Sequence, residues 1–232
     1  MTSLAVNLIP AKNLHLPQTR YLKGVKSPHS NMLKRGKQNK KLGDKIAVKK
    51  WKDMTMYSLT LEERATCPTD CQQWDNCYGN NMPFAHRFDH TDPSFKPMLE
   101  SQLKELNNKH PEGFVVRLHV LGDFYDGLYI TQWQLWLHKF KNMRCFGYTH
   151  HDSESQLGSM INSINRIYPD RFRIRFSDDW NTDFSAHTSK TEGTVRLLGN
   201  GIVCPEQVGQ TNSCTTCGYC WSSDNPVVFL EH

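Results

Sequence analysis

The amino-acid sequence predicts an α/β protein: a mainly parallel sheet, open or rolled into part of a barrel, with cysteine-rich loops and an irregular basic N-terminal arm. Three observations lead there. Between Phe114 and Phe176 the hydrophobic pattern switches repeatedly between the period of a strand and that of a helix. Seven of the eight cysteines fall into two groups, one on each side of that stretch. Positive charge is concentrated at the N-terminal end.

Residues 1–53 hold 13 Lys and Arg against two acids, Asp44 and Asp53, a net +11; the rest of the 232 residues carries −6, for a formal total of +5. The densest stretch, from Lys34 to Lys52, has few apolar residues to bury, so the arm is expected to be largely irregular. Such an arm suits DNA or RNA, because lysines release counterions from phosphates. It equally suits a solvated extension that wraps the domain. Trp51, Met54, Met56, Tyr57 and Leu59 mark entry into the core.

Residues 114–120, β-branched and aromatic, read as a buried strand running into Leu121-Gly122-Asp123. Ile130, Trp133, Leu137 and Phe140 recur at helical spacing and share one face. Residues 144–148 form a second strand, closed by Thr149, His150, His151 and Asp152. Leu157, Met160, Ile161, Ile164 and Tyr168 make the apolar stripe of the next helix, which Pro169 stops. Residues 171–176 alternate arginine with Phe172, Ile174 and Phe176, as a strand with one polar face does. Strand and helix alternating in this way build a parallel sheet through right-handed crossovers. Functional groups then belong beyond the carboxyl ends of the strands, at Gly122-Asp123-Phe124, Thr149-His150-His151 and Ser177-Asp178-Asp179. The chain divides into the arm, an α/β domain at 54–203 holding the first cysteine group, and a cysteine-rich segment at 204–229.

No basic start leads into an apolar run and a small-residue cleavage site, and no stretch approaches the roughly 20 apolar residues that span a bilayer. A cytoplasmic protein without a membrane partner is expected. A chain of this length buries a core without disulfides. In a reducing compartment clustered cysteines point to metal or redox chemistry. A Gly-rich phosphate loop, a His-Glu-x-x-His helix and a Gly-x-Ser-x-Gly elbow are all missing from the sequence, so nucleotide-hydrolase, zinc-protease and serine-hydrolase readings have no support. Leu230-Glu231-His232 reads as the remnant of an expression tag and carries no functional weight.

The first cysteine group is Cys67-x3-Cys71-x5-Cys77, in loops eased by Pro68, Asp70 and Asn76. Three thiolates leave a coordination position open, which suits chemistry; the alternative is a zinc knuckle completed by His86 or Asp70. The second is Cys204-x9-Cys214-x2-Cys217-x2-Cys220, a full ligand set for a four-iron cluster or a zinc ion. Its tight triple spacing is closer to ferredoxin ligation than to the paired knuckles of zinc ribbons. A single cluster with ligands from both regions is a third arrangement. Cys145, alone in a strand, reads as a structural thiol.

The early cysteine triplet with Tyr78 after its last member, followed by a strand ending in Gly-Asp, resembles the radical SAM superfamily. That resemblance implies a four-iron cluster on Cys67, Cys71 and Cys77 with S-adenosylmethionine at its open iron. It also implies that Gly122 and Asp123 contact the cofactor's amino group and that Ser177 contacts its ribose. The sequence departs from the superfamily in spacing, three then five residues where three then two is usual, and in carrying Asp rather than Glu; only about half a barrel's worth of strands is evident. A closer resemblance is to a family of phage proteins named after a mycobacteriophage gene product. It rests on Cys67-Pro68, Cys77-Tyr78, Arg117-x-His119-x-x-Gly122-Asp123-Phe124, Tyr129-Ile130, Trp133 and Cys204-Pro205, between Cys67 and Trp221. It implies a phage or mobile-element origin, hence host cytoplasm, and little about substrate.

His119 reads as a hydrogen-bonded core or sheet-face histidine, sharing a side with Arg117, ahead of a ligand or proton carrier. His150 and His151 at a strand end suit a substrate or phosphate contact, or simple exposure. Asp178 and Asp179 suit a general-base pair, or loop caps. Two functions follow: a radical SAM-like iron-sulfur enzyme of unknown substrate, or a non-enzymatic protein stabilised by iron-sulfur or zinc that binds nucleic acid or a host protein.

Overall fold

Alternating strands and helices appear where the hydrophobic period places them, and further strands extend the sheet on both sides. The computed structural model describes residues 18–191 and 201–231. Among these residues the strands are β1 (Val25–Lys26), β2 (Lys34–Arg35), β3 (Thr55–Ser58), β4 (Arg87–Phe88), β5 (Phe114–Leu118), β6 (Met143–Thr149), β7 (Phe172–Ser177), β8 (Ser185–Ser189), β9 (Ile202–Val203) and β10 (Val227–Leu230). The α-helices are α1 (Phe95–Lys109), α2 (Gly127–Lys139), α3 (Gln156–Ile167), α4 (Cys214–Cys217) and α5 (Tyr219–Ser222). β1 and β4 pair separately. The other eight strands form one sheet in the order β2-β3-β5-β6-β7-β8-β10-β9.

From β3 to β10 each strand of the series β3, β5, β6, β7, β8, β10 lies parallel to the one before it and beside it. β9 adds parallel beyond β10, and β2 adds antiparallel beside β3. No reversal of direction interrupts the series. Right-handed crossovers that all step the same way put their helices on one side of the sheet. The core follows this rule. Phe114, Val116 and Leu118 of β5, with Cys145 of β6 and Phe172, Ile174 and Phe176 of β7, pack against Leu99 and Leu103 of α1, Ile130 and Trp133 of α2, and Ile161 and Ile164 of α3.

The intervening residues face the other way, where no crossover helix can cover them. Met56, Val115 and Phe146 pack instead against Leu42, Ile46 and Trp51 from the N-terminal side and Trp221 from the C-terminal side. The two indoles stack, centroids 5.7 Å apart, and Trp221 Nε1 donates to the Lys50 carbonyl. The basic segment is therefore not a loose arm from Gln18 onward. Met32, Leu33, Leu42, Ile46 and Trp51 are buried, and Lys41 and Lys50 pair with Glu206 and Asp170. Leu42, Ile46 and Trp51, spaced through a lysine-rich stretch, close the second face together with Trp221, while Met32 and Leu33 join the helix-side core. Residues 1–17, the rest of that arm, lie outside the described residues. The sheet takes strands from all three segments into which the sequence divides.

The strand expected over 114–120 pairs only to Leu118, so its alternation stops there. His119 consequently packs with Phe124 and Tyr129 on the helix side, whereas Arg117 lies over Tyr148 and Phe146 on the other. α2 and α3 start at side-chain caps: Asp126 accepts from the Tyr129 amide at 2.6 Å and Ser155 from the Gly158 amide at 3.0 Å. Replacing Asp126 with alanine should cost about 1 kcal/mol in urea denaturation, the usual worth of such a cap. No helix among the described residues is long and apolar enough to cross a membrane.

Candidate metal and cofactor site

The loop after β3 starts in register with the end of β5: the Leu61 amide donates to the Leu121 carbonyl at 3.0 Å and the Val120 amide to the Leu59 carbonyl at 2.8 Å. This lays Thr66 and Cys67 against Gly122. Gly122 has φ +81°, and a Cβ there would stand 2.4 Å from Thr66 Oγ1 and 2.7 Å from Leu61 Cβ. Only glycine lets the two segments approach so closely.

Asp123 is buried beside them and accepts from two main-chain amides, Phe124 to Oδ1 and His150 to Oδ2, both at 2.7 Å, while its own amide donates to Thr66 Oγ1 at 3.2 Å. Its carboxylate thus joins the ends of β5 and β6 to the cysteine loop. Burial pushes the Cys67 thiol well up, and the charges of Asp123, Cys71 and Cys77 push it further. The Cys71 thiol is pushed up to about 11, by burial first and then by Cys77, Asp123 and Asp178. Burial also raises Cys77. These thiols therefore share one field and stay protonated near neutrality unless a metal replaces the proton.

Two arginines fix the loop. Arg87 and Glu63 form a buried ion pair, with Nε–Oε2 at 2.5 Å and Nη2–Oε1 at 2.8 Å. The same guanidinium donates to the carbonyls of Met82, Ala85 and Gly79. Arg64 donates to the Trp74 carbonyl and Asn80 Oδ1. Residues on either side of the three cysteines are thereby clamped together.

Beyond the carboxyl ends of β6 and β7 lies a cleft of about 400 Å³. Cys71, His150 and Ser177 line it together with four carboxylates, Asp70, Asp152, Asp178 and Asp179. Asp178 and Asp179, read as a general-base pair or as loop caps, hold main chain. Asp179 accepts from the amides of Ser153 and Asn181, and Asp178 Oδ1 from that of Thr188. Asp178 Oδ2 is buried with no hydrogen-bond partner among the described residues. His151 Nε2 meets the Phe124 carbonyl at 2.6 Å, which leaves His150 as the histidine of the cleft.

The second cysteine group sits on the face of the sheet away from the crossover helices. Burial raises the Cys214 thiol, and the charges of Cys220 and Cys204 raise it further; Cys204 is raised by burial and also feels Cys220. Tyr148 donates its hydroxyl to Cys220 Sγ at 2.9 Å. Cys217 lies in the wall of a surface cleft of about 370 Å³, with Lys49 and Pro205. Between Cys217 and Cys220 the chain turns at Gly218, in left-handed conformation between α4 and α5. Cys145 is fully buried, in keeping with a structural thiol. Among the described residues no three His, Cys, Asp or Glu side chains stand close enough to enclose one metal ion.

Glu63, Arg87, Arg117 and Tyr148 carry much of this arrangement and have no signature in the sequence, because each acts on partners distant along the chain. A family model described as Gene product 88 matches residues 31–196, a span that contains the first cysteine group, Gly122, Asp123 and Ser177 and stops before Cys204. No curated protein matches the chain, and no solved structure does.

Proposed function

The chain belongs to the Gene product 88 family, a phage gene-product family, and from that premise we propose that it is an iron-sulfur protein acting as a radical SAM-like enzyme. The observation that carries this reading is one of place. Cys67 and Cys71, two of three thiols that share a field, feel the charge of a buried aspartate at the carboxyl edge of six parallel strands laid down in sequence order, beside an open cleft. A four-iron cluster on three thiolates keeps one iron free to bind and reduce S-adenosylmethionine. The donor type suits it, since cysteine thiolates are the ordinary ligands of such clusters.

The chain's own residues then have separable tasks. Cys67, Cys71 and Cys77 supply thiolates, and the Arg87–Glu63 clamp keeps their loop from wandering. Asp123, fixed by two amides, presents negative charge to an ammonium group. Ser177 offers a hydroxyl to a ribose, and the unpartnered oxygen of Asp178 offers an acceptor to a donor in the cleft.

Anaerobic purification with iron, sulfide and zinc quantification tests the reading, together with visible spectra before and after adding S-adenosylmethionine. Iron and sulfide, a spectrum that responds to the cofactor and release of 5′-deoxyadenosine under dithionite are expected, all lost in a Cys67→Ala, Cys71→Ala, Cys77→Ala protein. Zinc alone, or a cluster indifferent to the cofactor, would sink it and favour a metal-stabilised binding protein. That second reading has its own support in Lys37, Lys40 and Lys45, which stand exposed on the N-terminal segment. Substituting these three with glutamine should then weaken nucleic-acid binding and flatten its salt dependence.

A further inference from the structure

The cleft beyond the carboxyl ends of β6 and β7 carries charge of one sign. Asp70, Asp152, Asp178 and Asp179 line it, no lysine or arginine does, and among the described residues none of the four forms an ion pair. Their carboxylates do not converge, since among the described residues no three His, Cys, Asp or Glu side chains stand close enough to enclose a metal ion. Negative charge spread along a cleft of about 400 Å³ suits a cation whose own charge is spread over several groups.

Two polar atoms at this cleft have nothing to bond. The Thr188 amide donates to Asp178 Oδ1 at 2.6 Å and fixes the carboxylate, which leaves Oδ2 buried without a partner among the described residues. His187, only 2% exposed, meets Ser185 Oγ through Nε2 at 2.8 Å, and its Nδ1 is likewise without a partner there. The His187 ring lies 4.3 Å from the Trp180 indole, a wall of the cleft, and within the field of Asp178 and Asp179. A carboxylate with an unbonded, buried oxygen keeps charge that a ligand ammonium offsets. Trp180 itself is 61% exposed. An indole standing in water beside carboxylates gives an ammonium group both a π face and a counter-charge.

We propose that the cleft binds a linear aliphatic polyamine, with one ammonium against the Asp178 carboxylate and the Trp180 indole and the others towards Asp152 and Asp70, both exposed. Binding of this kind needs no metal at the cysteines. That the bound amine is also the substrate rests on the radical SAM-like reading, and turnover rather than binding tests that further step.

Isothermal titration of the full chain with spermidine tests the site. Saturable one-to-one binding is expected, weakened by salt and absent for an uncharged diol of similar length. Asp178→Asn should weaken it roughly tenfold or more, as loss of a charge-assisted bond does, while keeping the acceptor for the Thr188 amide. Asp152→Asn and Trp180→Ala, at exposed positions that leave the fold intact, should each weaken it several-fold. No binding, or binding that all three variants leave unchanged, overturns the proposal. Displacement of spermidine by an equal concentration of magnesium overturns it too, by making the cleft a metal site.

Discussion

Replacing Arg87 with methionine is expected to cost about 3–5 kcal/mol of stability, the usual penalty for removing one partner of a buried ion pair. The pair is inaccessible, Arg87 at 0% and Glu63 at 2% exposure, so the abandoned carboxylate has no water to turn to. Among the described residues Glu63 would keep only the Thr19 hydroxyl, which donates to Oε1 at 2.6 Å, and the carbonyls of Gly79, Met82 and Ala85 would lose a donor. Urea denaturation reads the loss. The double variant Arg87→Met, Glu63→Gln should lose less than the two single changes summed, because no charge is left stranded. If the cysteines hold iron as proposed, the iron on Cys67, Cys71 and Cys77 should fall with Arg87, while iron on the second group, tied to residues 41–51, should not. A fully stable Arg87→Met protein would show that the loop stands without its clamp.

Stability is expected to fall as pH drops from about 6.5 towards 3, and His119 should account for a large part of it. Burial, aided by the charge of Arg117, lowers this imidazole to about 3. Its Nε2 and the Tyr129 hydroxyl lie 2.9 Å apart, an arrangement that suits a neutral ring. The unfolded chain binds a proton near the ordinary 6.5 and the folded chain does not, so the contribution is fully present above 6.5 and is lost as pH falls through that window. At about 1.4 kcal/mol per unit the loss can reach the order of 5 kcal/mol. Burial lowers His90 and His187 as well, with the same sign. His119→Phe separates the terms: it strands the Tyr129 hydroxyl at every pH, yet it should flatten the slope of stability between pH 6 and pH 4. An unchanged slope would assign the acid sensitivity elsewhere.

What the sequence revealed of this fold follows the length of each pattern. β5, β6, β7, α2 and α3 carry runs long enough for a period to show, and their observed ends differ from the expected ones by only a few residues. β3 and β10 are four residues each, too short for any period. β8 is Ser-Ala-His-Thr-Ser, whose buried Ser185 and His187 satisfy each other at 2.8 Å and hide a strand behind polar residues. α1 was legible in principle, because Phe95, Leu99, Leu103 and Leu106 fall on one face, but Pro97 and a polar surface obscure it. That Asp123 lies beyond the end of β5, within the field of Cys67 and Cys71, follows from placing functional groups at strand ends. The position of Cys217 does not, since it depends on the turn at Gly218, and spacing alone suggests four equivalent ligands.

The face of the sheet closed by Trp51 and Trp221 has a consequence for how the protein comes into being. The Lys50 carbonyl waits for an indole donor 171 residues further along, and the segment around Lys41 waits for the amide of Cys214. A chain emerging from the ribosome can assemble β3 to β7 with their helices while one side of that sheet still exposes Met56, Val115 and Phe146. Until residues 213–230 are made, Leu42, Ile46 and Trp51 cover this side without Trp221, and the part it would close is apolar surface open to chaperones and to aggregation. The first cysteine group can take its place early, whereas the second is assembled only after synthesis has passed Cys220.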